Sequence, residues 1–318
     1  MDGNVFLVGE KVTTLFLILV AGIIARKTGI IDLAATNKLS ALLLNITQPL
    51  LVVTSFQIAF DSDKLKTGLM TLALSVAIHL FLAVFSFIIY MPEKNAGQKN
   101  IYEMATVFCN CGFLGYPVLM VVFGGEDGIF YGVFYTMFFN IFIWTYGVYL
   151  VAGRNKENNM KFPASKIFLN AGMISSVIGI LFFIAGIRLP AVLYESSKLV
   201  GDMTFPLSMI IIGSLVSEVK PKDMFLRAKN YYYVFIKLII SPLVIALICF
   251  ILKLPPTLIY IGTLLTAMPS AANVAVFAEK YGADSKTAAV VAGLSTLLSI
   301  GTIPLAIYFL TGVLGVAV

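Results

Sequence analysis

Two stretches of the chain place residues able to hold a ligand inside otherwise apolar runs. The first, NCGFLGYPV (110–118), carries the amide of Asn110, the thiol of Cys111, glycines at Gly112 and Gly115, then Tyr116 and Pro117. The second, MPSAANV (268–274), carries Pro269, Ser270, Ala271, Ala272 and Asn273. Non-helical backbone inside a bilayer is tolerated only when buried in protein or facing a watery cavity, so two such breaks point to one shared cavity. Pro117 suits the first turn of a second half-helix, where a missing N–H costs least, and Ser270 or Asn273 could cap its counterpart. Asn110 can hydrogen-bond a ligand or freed backbone. Half-helix N-termini carry partial positive charge and N–H donors, an arrangement suited to a carboxylate. On this reading neutral amides and backbone donors around 115–117 and 270–272 hold the anion without a buried cationic side chain. The alternative is a pair of proline or glycine kinks in ordinary packed helices.

Ionisable groups within apolar segments are expensive and so are candidates for coupling. His79 and Asp202 fall near the middle of theirs, whereas Glu103 and Lys237 fall nearer an end, where they could snorkel or pair. His79 could carry a proton or simply donate to a backbone carbonyl. Asp202 and Asn45 stand four residues before matching prolines, Pro206 and Pro49. Asp202 could bind a coupling ion or satisfy backbone freed by Pro206. The coupling ion would be a proton or sodium. The three cysteines offer neither an even set nor metal-ligand spacing, and with a single histidine no hydrolytic triad stands out. No metal, cofactor or enzymatic activity is expected.

The elements that must position these groups follow from composition. Hydrophobic residues make up 59% of 318 and charged residues 12%, with a mean hydropathy of +0.97, which makes lipid the main solvent. The opening MDGNVFLVGEK is acidic where a secretory signal would be basic, so the first apolar run is expected to stay. Apolar runs near 9–30, 37–60, 66–90, 99–123, 128–152, 165–187, 191–217, 230–252, 257–280 and 286–313 predict an all-α membrane protein of ten transmembrane helices. With the N-terminus outside, 15 Lys and Arg fall in inner connections and six in outer ones, which puts both termini outside and the central polar loop in the cytoplasm. The net charge of +6 is spread among these connections, so it marks topology, and no nucleic-acid partner is expected. The polar stretch 153–164 divides a first five-helix repeat, 1–152, from a second, 165–318. An offset of 157 lays Gly22 on Gly179, Gly29 on Gly186 and Pro49 on Pro206. Five segments per copy inverts the repeats, an arrangement found in alternating-access transporters. Trp144, Tyr146 and Tyr149 read as an interfacial aromatic belt.

The run NCGFLGYPVL resembles the Asn-x-x-x-x-Gly-x-Pro-Leu crossover of the auxin efflux carrier family, whose members include plant PIN-type carriers and bacterial malonate or malate permeases. MPSAANVAVFAEKYGAD resembles the family's ninth-helix crossover, with Pro269 and a Val-Phe-Ala-x-x-Tyr run (276–281) in the expected places. The resemblance implies a scaffold of helices one, two, six and seven and a mobile domain of the rest. It also implies elevator-type secondary transport of a small organic anion, with Asn110, Pro117 and Pro269 in crossover roles. A homodimer through the scaffold would fit. Val274 replaces the second crossover proline of PIN-type carriers and the central loop is short, which favours a bacterial-type mono- or dicarboxylate permease over an indole-acid carrier. A sodium symporter resembling bile-acid carriers and a non-transporting receptor remain as alternatives.

Overall fold

The structure, a computed structural model, describes residues 2–152, 169–217, 228–271 and 273–316. The connection 153–166, where the inter-repeat linker is expected, and Ala272 lie outside the described residues. The rest is helical apart from turns and one isolated bridge. In chain order the helices are α1 (Asp2–Lys27), α2 (Leu33–Ser55), α3 (Ser62–Ile89), α4 (Ala96–Val107), α5 (Cys111–Val122) and α6 (Asp127–Ala152). They continue as α7 (Ala171–Ala185), α8 (Ala191–Ser217), α9 (Ala228–Ile251), α10 (Pro256–Ala267), α11 (Asn273–Lys280) and α12 (Ser285–Val313). Among the described residues, α2, α3, α6, α8, α9 and α12 are long and apolar enough to cross a membrane. The apolar runs 99–123 and 257–280 are each divided in two, between α4 and α5 and between α10 and α11.

Short polar side chains begin several helices by satisfying N–H groups that have no partner within the helix. Asp32 accepts from Ala35 N, Asn95 from Gln98 N, Asn170 from Met173 N and Asp284 from Thr287 N. Just before α4, the Glu93 carboxyl is held below its ordinary range by the Asn95 N–H and then by the Lys229 ammonium. Proline shapes the interiors. It offers no N–H and crowds the preceding turn, and Pro49, Pro117 and Pro242 each lie two residues beyond a π turn, at 43–47, 111–115 and 236–240. Pro117 stands in the first turn of the α-helical stretch Tyr116–Val122, as expected, and the π turn at 111–115 leads into it. In the third case the Ser241 hydroxyl donates to Ile236 O at 2.8 Å.

The chain divides into two compact units. Unit 1 comprises Met1–Leu72, Gly112–Met137 and Ala164–Ser217, and so holds α1, α2, α7 and α8 whole. There α1 packs antiparallel on the second half of α8 through reciprocal glycines. A Cβ on Gly22 would collide with the backbone of Ile210, and one on Gly213 with the carbonyl of Leu19. Phe56, Phe130, Phe134 and Phe183 form a ring cluster, and Gly179 gives the Phe56 ring its room. Thr204 Oγ1 donates to Thr47 Oγ1 at 3.0 Å, joining residues 157 positions apart. Gly29 and Gly186, both left-handed, stand at the same separation.

Unit 2 comprises Ala73–Cys111, Phe138–Pro163 and Glu218–Val318, and holds α4 and α9–α12 whole. Its core includes a stack of Tyr102 on Tyr233 and a Tyr90 hydroxyl 3.0 Å from Thr106 Oγ1. Along α3, Leu80, Val84, Phe87 and Ile88 are exposed, an apolar stripe suited to lipid.

Candidate functional site

The break in unit 2 is built by two helices that stop short. Residue Met268 precedes Pro269, whose ring disfavours the helical region, so α10 gives way to extended backbone (ψ 147). Phe108 is likewise extended at the end of α4. The segments beyond run antiparallel. Asn110 N donates to Pro269 O at 2.8 Å and Ala271 N to Phe108 O at 2.9 Å, with Cys109 and Ser270 as the bridged pair. These bonds satisfy backbone that a bilayer would not hydrate.

That pairing revises the expected donor set. The N–H of Ala271 is engaged by Phe108, and that of Ser270 donates to Ser295 Oγ at 3.1 Å. The Ser270 hydroxyl makes no hydrogen bond to the start of α11. The amide side chains at the break in unit 2 are those of Asn110, 7% exposed, and Asn273, half-buried as the first residue of α11. Around Asn110, Cys111 N donates to Cys109 O at 2.8 Å, a tight turn that brings the two thiols to 3.1 Å. The remaining predicted residues, Gly112, Gly115, Tyr116 and Pro117, belong to unit 1. There the Tyr116 hydroxyl lies 2.7 Å from Thr136 Oγ1, and the Gln48 amide fills the space where a Cβ of Gly112 would sit. Gln48 Oε1 is buried with no hydrogen-bond partner among the described residues.

A second revision concerns charge. Lys237 is fully buried and does not snorkel: its Nζ donates to Thr106 O at 3.1 Å and Thr266 O at 3.2 Å, one carbonyl from the last turn of each interrupted helix. Its ammonium acts electrostatically on Cys109 and Cys111, the two neighbours of Asn110. A buried cationic side chain, which the sequence reading had designed out, therefore stands beside the break. Its position in α9 gave the signal, but only the fold reveals that two carbonyls await it. Gln48 was missed altogether; an amide directly before Pro49 in an apolar run was the available clue.

The coupling candidates are divided between the units, His79 and Glu103 in unit 2 and Asp202 and Asn45 in unit 1. His79 is fully buried, and its Nδ1, 2.7 Å from Ser75 O, must carry the proton it shares with that carbonyl. Rings of Phe138, Phe139 and Phe142 surround it. Glu103 is buried with Oε1 3.6 Å from Lys99 Nζ. Asp202 lies in unit 1 at the joint within α8, its side chain 42% exposed and 3.7 Å from Lys198, which also binds Glu126 at 2.6 Å. Asn45 is exposed and donates to Ala41 O.

Six described helices long and apolar enough to span a bilayer, with two further apolar runs interrupted where their backbones pair, define a multi-pass membrane protein of the transporter class. The comparison with known families agrees: residues 7–307 match the model described as membrane transport protein, and the chain belongs to that family, the auxin efflux carrier-like membrane transporters. It is also similar to an uncharacterized transporter of Methanothermobacter thermautotrophicus, 28% identical over 310 residues that cover 93% of this chain and 96% of the relative.

Proposed function

We propose that the protein is a secondary-active carrier of a small organic anion, a mono- or dicarboxylate such as malonate or malate, bound at the break through Asn110 and Asn273. The observation that carries the anion reading is the Lys237 ammonium, buried beside Asn110 with two carbonyls and no carboxylate among its described partners. A carboxylate arriving there enters a positive field in a low dielectric, where charge–charge attraction is strong. Amide donors then orient it without a permanent ion pair, which lets it leave again.

The architecture proposed with this function is ten spans in two inverted repeats, α1–α6 and α7–α12, in a cell membrane. Pairs at offset 157, Thr47 with Thr204 and Gly29 with Gly186, support the repeat. At the breaks the offset is 161, from Cys109 to Ser270, so the second copy holds about one extra helical turn upstream. Alternating access would be of elevator type, with α1, α2, α7 and α8 as the scaffold. The assignment of those four helices to one compact unit supports that choice.

A thermal-shift screen of carboxylates on the purified protein tests the substrate class, since a ligand that prefers the folded state raises the unfolding midpoint. Uptake of the best ligand into proteoliposomes, measured beside equilibrium binding, then tests transport. Binding without flux would make the protein a receptor, and the absence of any carboxylate effect would remove the anion reading.

A further inference from the structure

We propose that Lys237 is a built-in cation, a tethered ammonium that joins the carbonyl ends of α4 and α10 in place of a bound monovalent ion, so that the break assembles without sodium. The last carbonyls of a helix have no partner within it and together carry about half a negative charge. In α4, Met104 O accepts from Phe108 N and Ala105 O from the Tyr233 hydroxyl, and Thr106 O is left to Lys237. In α10, Leu264 O and Leu265 O accept from Met268 N, and Thr266 O is left to Lys237. One ammonium thus takes the matching carbonyl from each helix. Two half charges of about −0.5 balance its single positive charge, which accounts for a buried lysine with no carboxylate partner.

The oxygen set at this point is that of a small hard cation. Two main-chain carbonyls converge, and Thr266 adds a hydroxyl that is fully buried with no hydrogen-bond partner. Carbonyl and hydroxyl oxygens replace the hydration shell of alkali ions in membrane proteins. The ammonium occupies that place permanently, held by the side chain of α9, while Cys109, Cys111 and His79 act on it only through space. Any substrate then meets a positive charge that need not be loaded from solution.

The test uses full-length protein without substrate, so its failure and that of the carboxylate reading are separable. Wild-type protein is expected to keep its unfolding midpoint when sodium is exchanged for potassium or choline at equal ionic strength. Lys237→Ala, which vacates the site, is expected to lose about 5 °C or more in midpoint and to recover with sodium or methylammonium in proportion to the logarithm of concentration. Lys237→Met, which fills the space with apolar atoms, is expected to lose stability without recovery. A sodium-dependent midpoint in the wild type overturns the proposal, as does a Lys237→Ala protein that is stable without added cation or recovers no better than Lys237→Met. If neither variant can be purified, the wild-type exchange decides alone.

Discussion

Asn110, in the extended segment after α4, and Asn273, at the start of α11, face the same physical problem, a polar amide that must be satisfied where water is scarce. Each would lose about 1.5–3 kcal/mol of charge-assisted hydrogen bonding to a carboxylate on truncation, roughly ten- to hundred-fold in affinity. Asn110→Ala and Asn273→Ala are expected to weaken carboxylate binding by that factor while membrane insertion and folding persist, measured by isothermal titration on purified protein. Unchanged affinity in both would place the substrate elsewhere. The coupling candidates invite a different expectation. His79 donates from Nδ1 to a backbone carbonyl and sits among phenylalanines, a setting that favours a neutral ring. Asp202 is half-exposed beside Lys198, a setting that favours exchange of its partners. Asp202→Asn is therefore expected to alter the pH or sodium dependence of uptake more than His79→Gln does; the reverse order in proteoliposome assays would move coupling to the histidine. At this scale the sequence disclosed residue types and approximate depth, which is why His79 and Lys237 stood out. It could not disclose that Lys237 bonds to two carbonyls 160 residues apart, because those oxygens belong to backbone and carry no sequence signal.

Helix packing in a membrane gains little from the hydrophobic effect, so close approach of small residues carries much of it. The pairing of α1 with α8 is the clearest case, since Gly22 and Gly213 each lie against the backbone of the other helix at Ile210 and Leu19. A methyl group at either position must push the helices apart. Gly213→Ala and Gly22→Ala are expected to cost about 1–3 kcal/mol and to lower the unfolding midpoint in detergent. Gly301→Ala is the control: that glycine lies in α12 with nothing within 4 Å of its missing Cβ, and alanine there should be neutral or stabilising by up to about 1 kcal/mol. A midpoint for Gly213→Ala equal to that of Gly301→Ala would show that α1 and α8 are not tightly packed. Apolar runs bounded by Gly, Pro and charge made these helices legible, and Pro269 marked the end of α10 directly. The end of α4 was less legible, because Phe108 turns extended with no proline after it and the π turn at 111–115 begins before Pro117. The bridged residues Cys109 and Ser270 stand 161 positions apart, not the 157 expected from the single offset, a four-residue shift in register that leaves hydropathy unchanged.

Orientation is a property of the whole molecule, set by where cationic side chains stay during insertion. Of the 22 Lys and Arg, 15 fall in connections on one side of the proposed ten-span arrangement and six on the other, with Lys237 buried between them. Each retained cation near the cytoplasmic leaflet is favoured by the anionic surface potential, worth about 1 kcal/mol per residue, so a difference of nine outweighs any single contrary charge. The central connection contributes four, Arg154, Lys156, Lys161 and Lys166, and the stretch 220–229 another four, Lys220, Lys222, Arg227 and Lys229; in the proposed ten-span chain both termini lie on the opposite face. A cysteine replacing Asn158, or appended after Val318, reports this arrangement once the three native thiols are removed. The appended cysteine is expected to react with a membrane-impermeant maleimide on intact cells, whereas position 158 reacts only after permeabilisation. Labelling at 158 from outside would invert the topology and with it the face from which substrate first reaches Asn110. Labelling of both positions from outside would require an even number of spans between residue 158 and the C-terminus, removing the five-plus-five inverted repeat while leaving the paired backbone of the break intact.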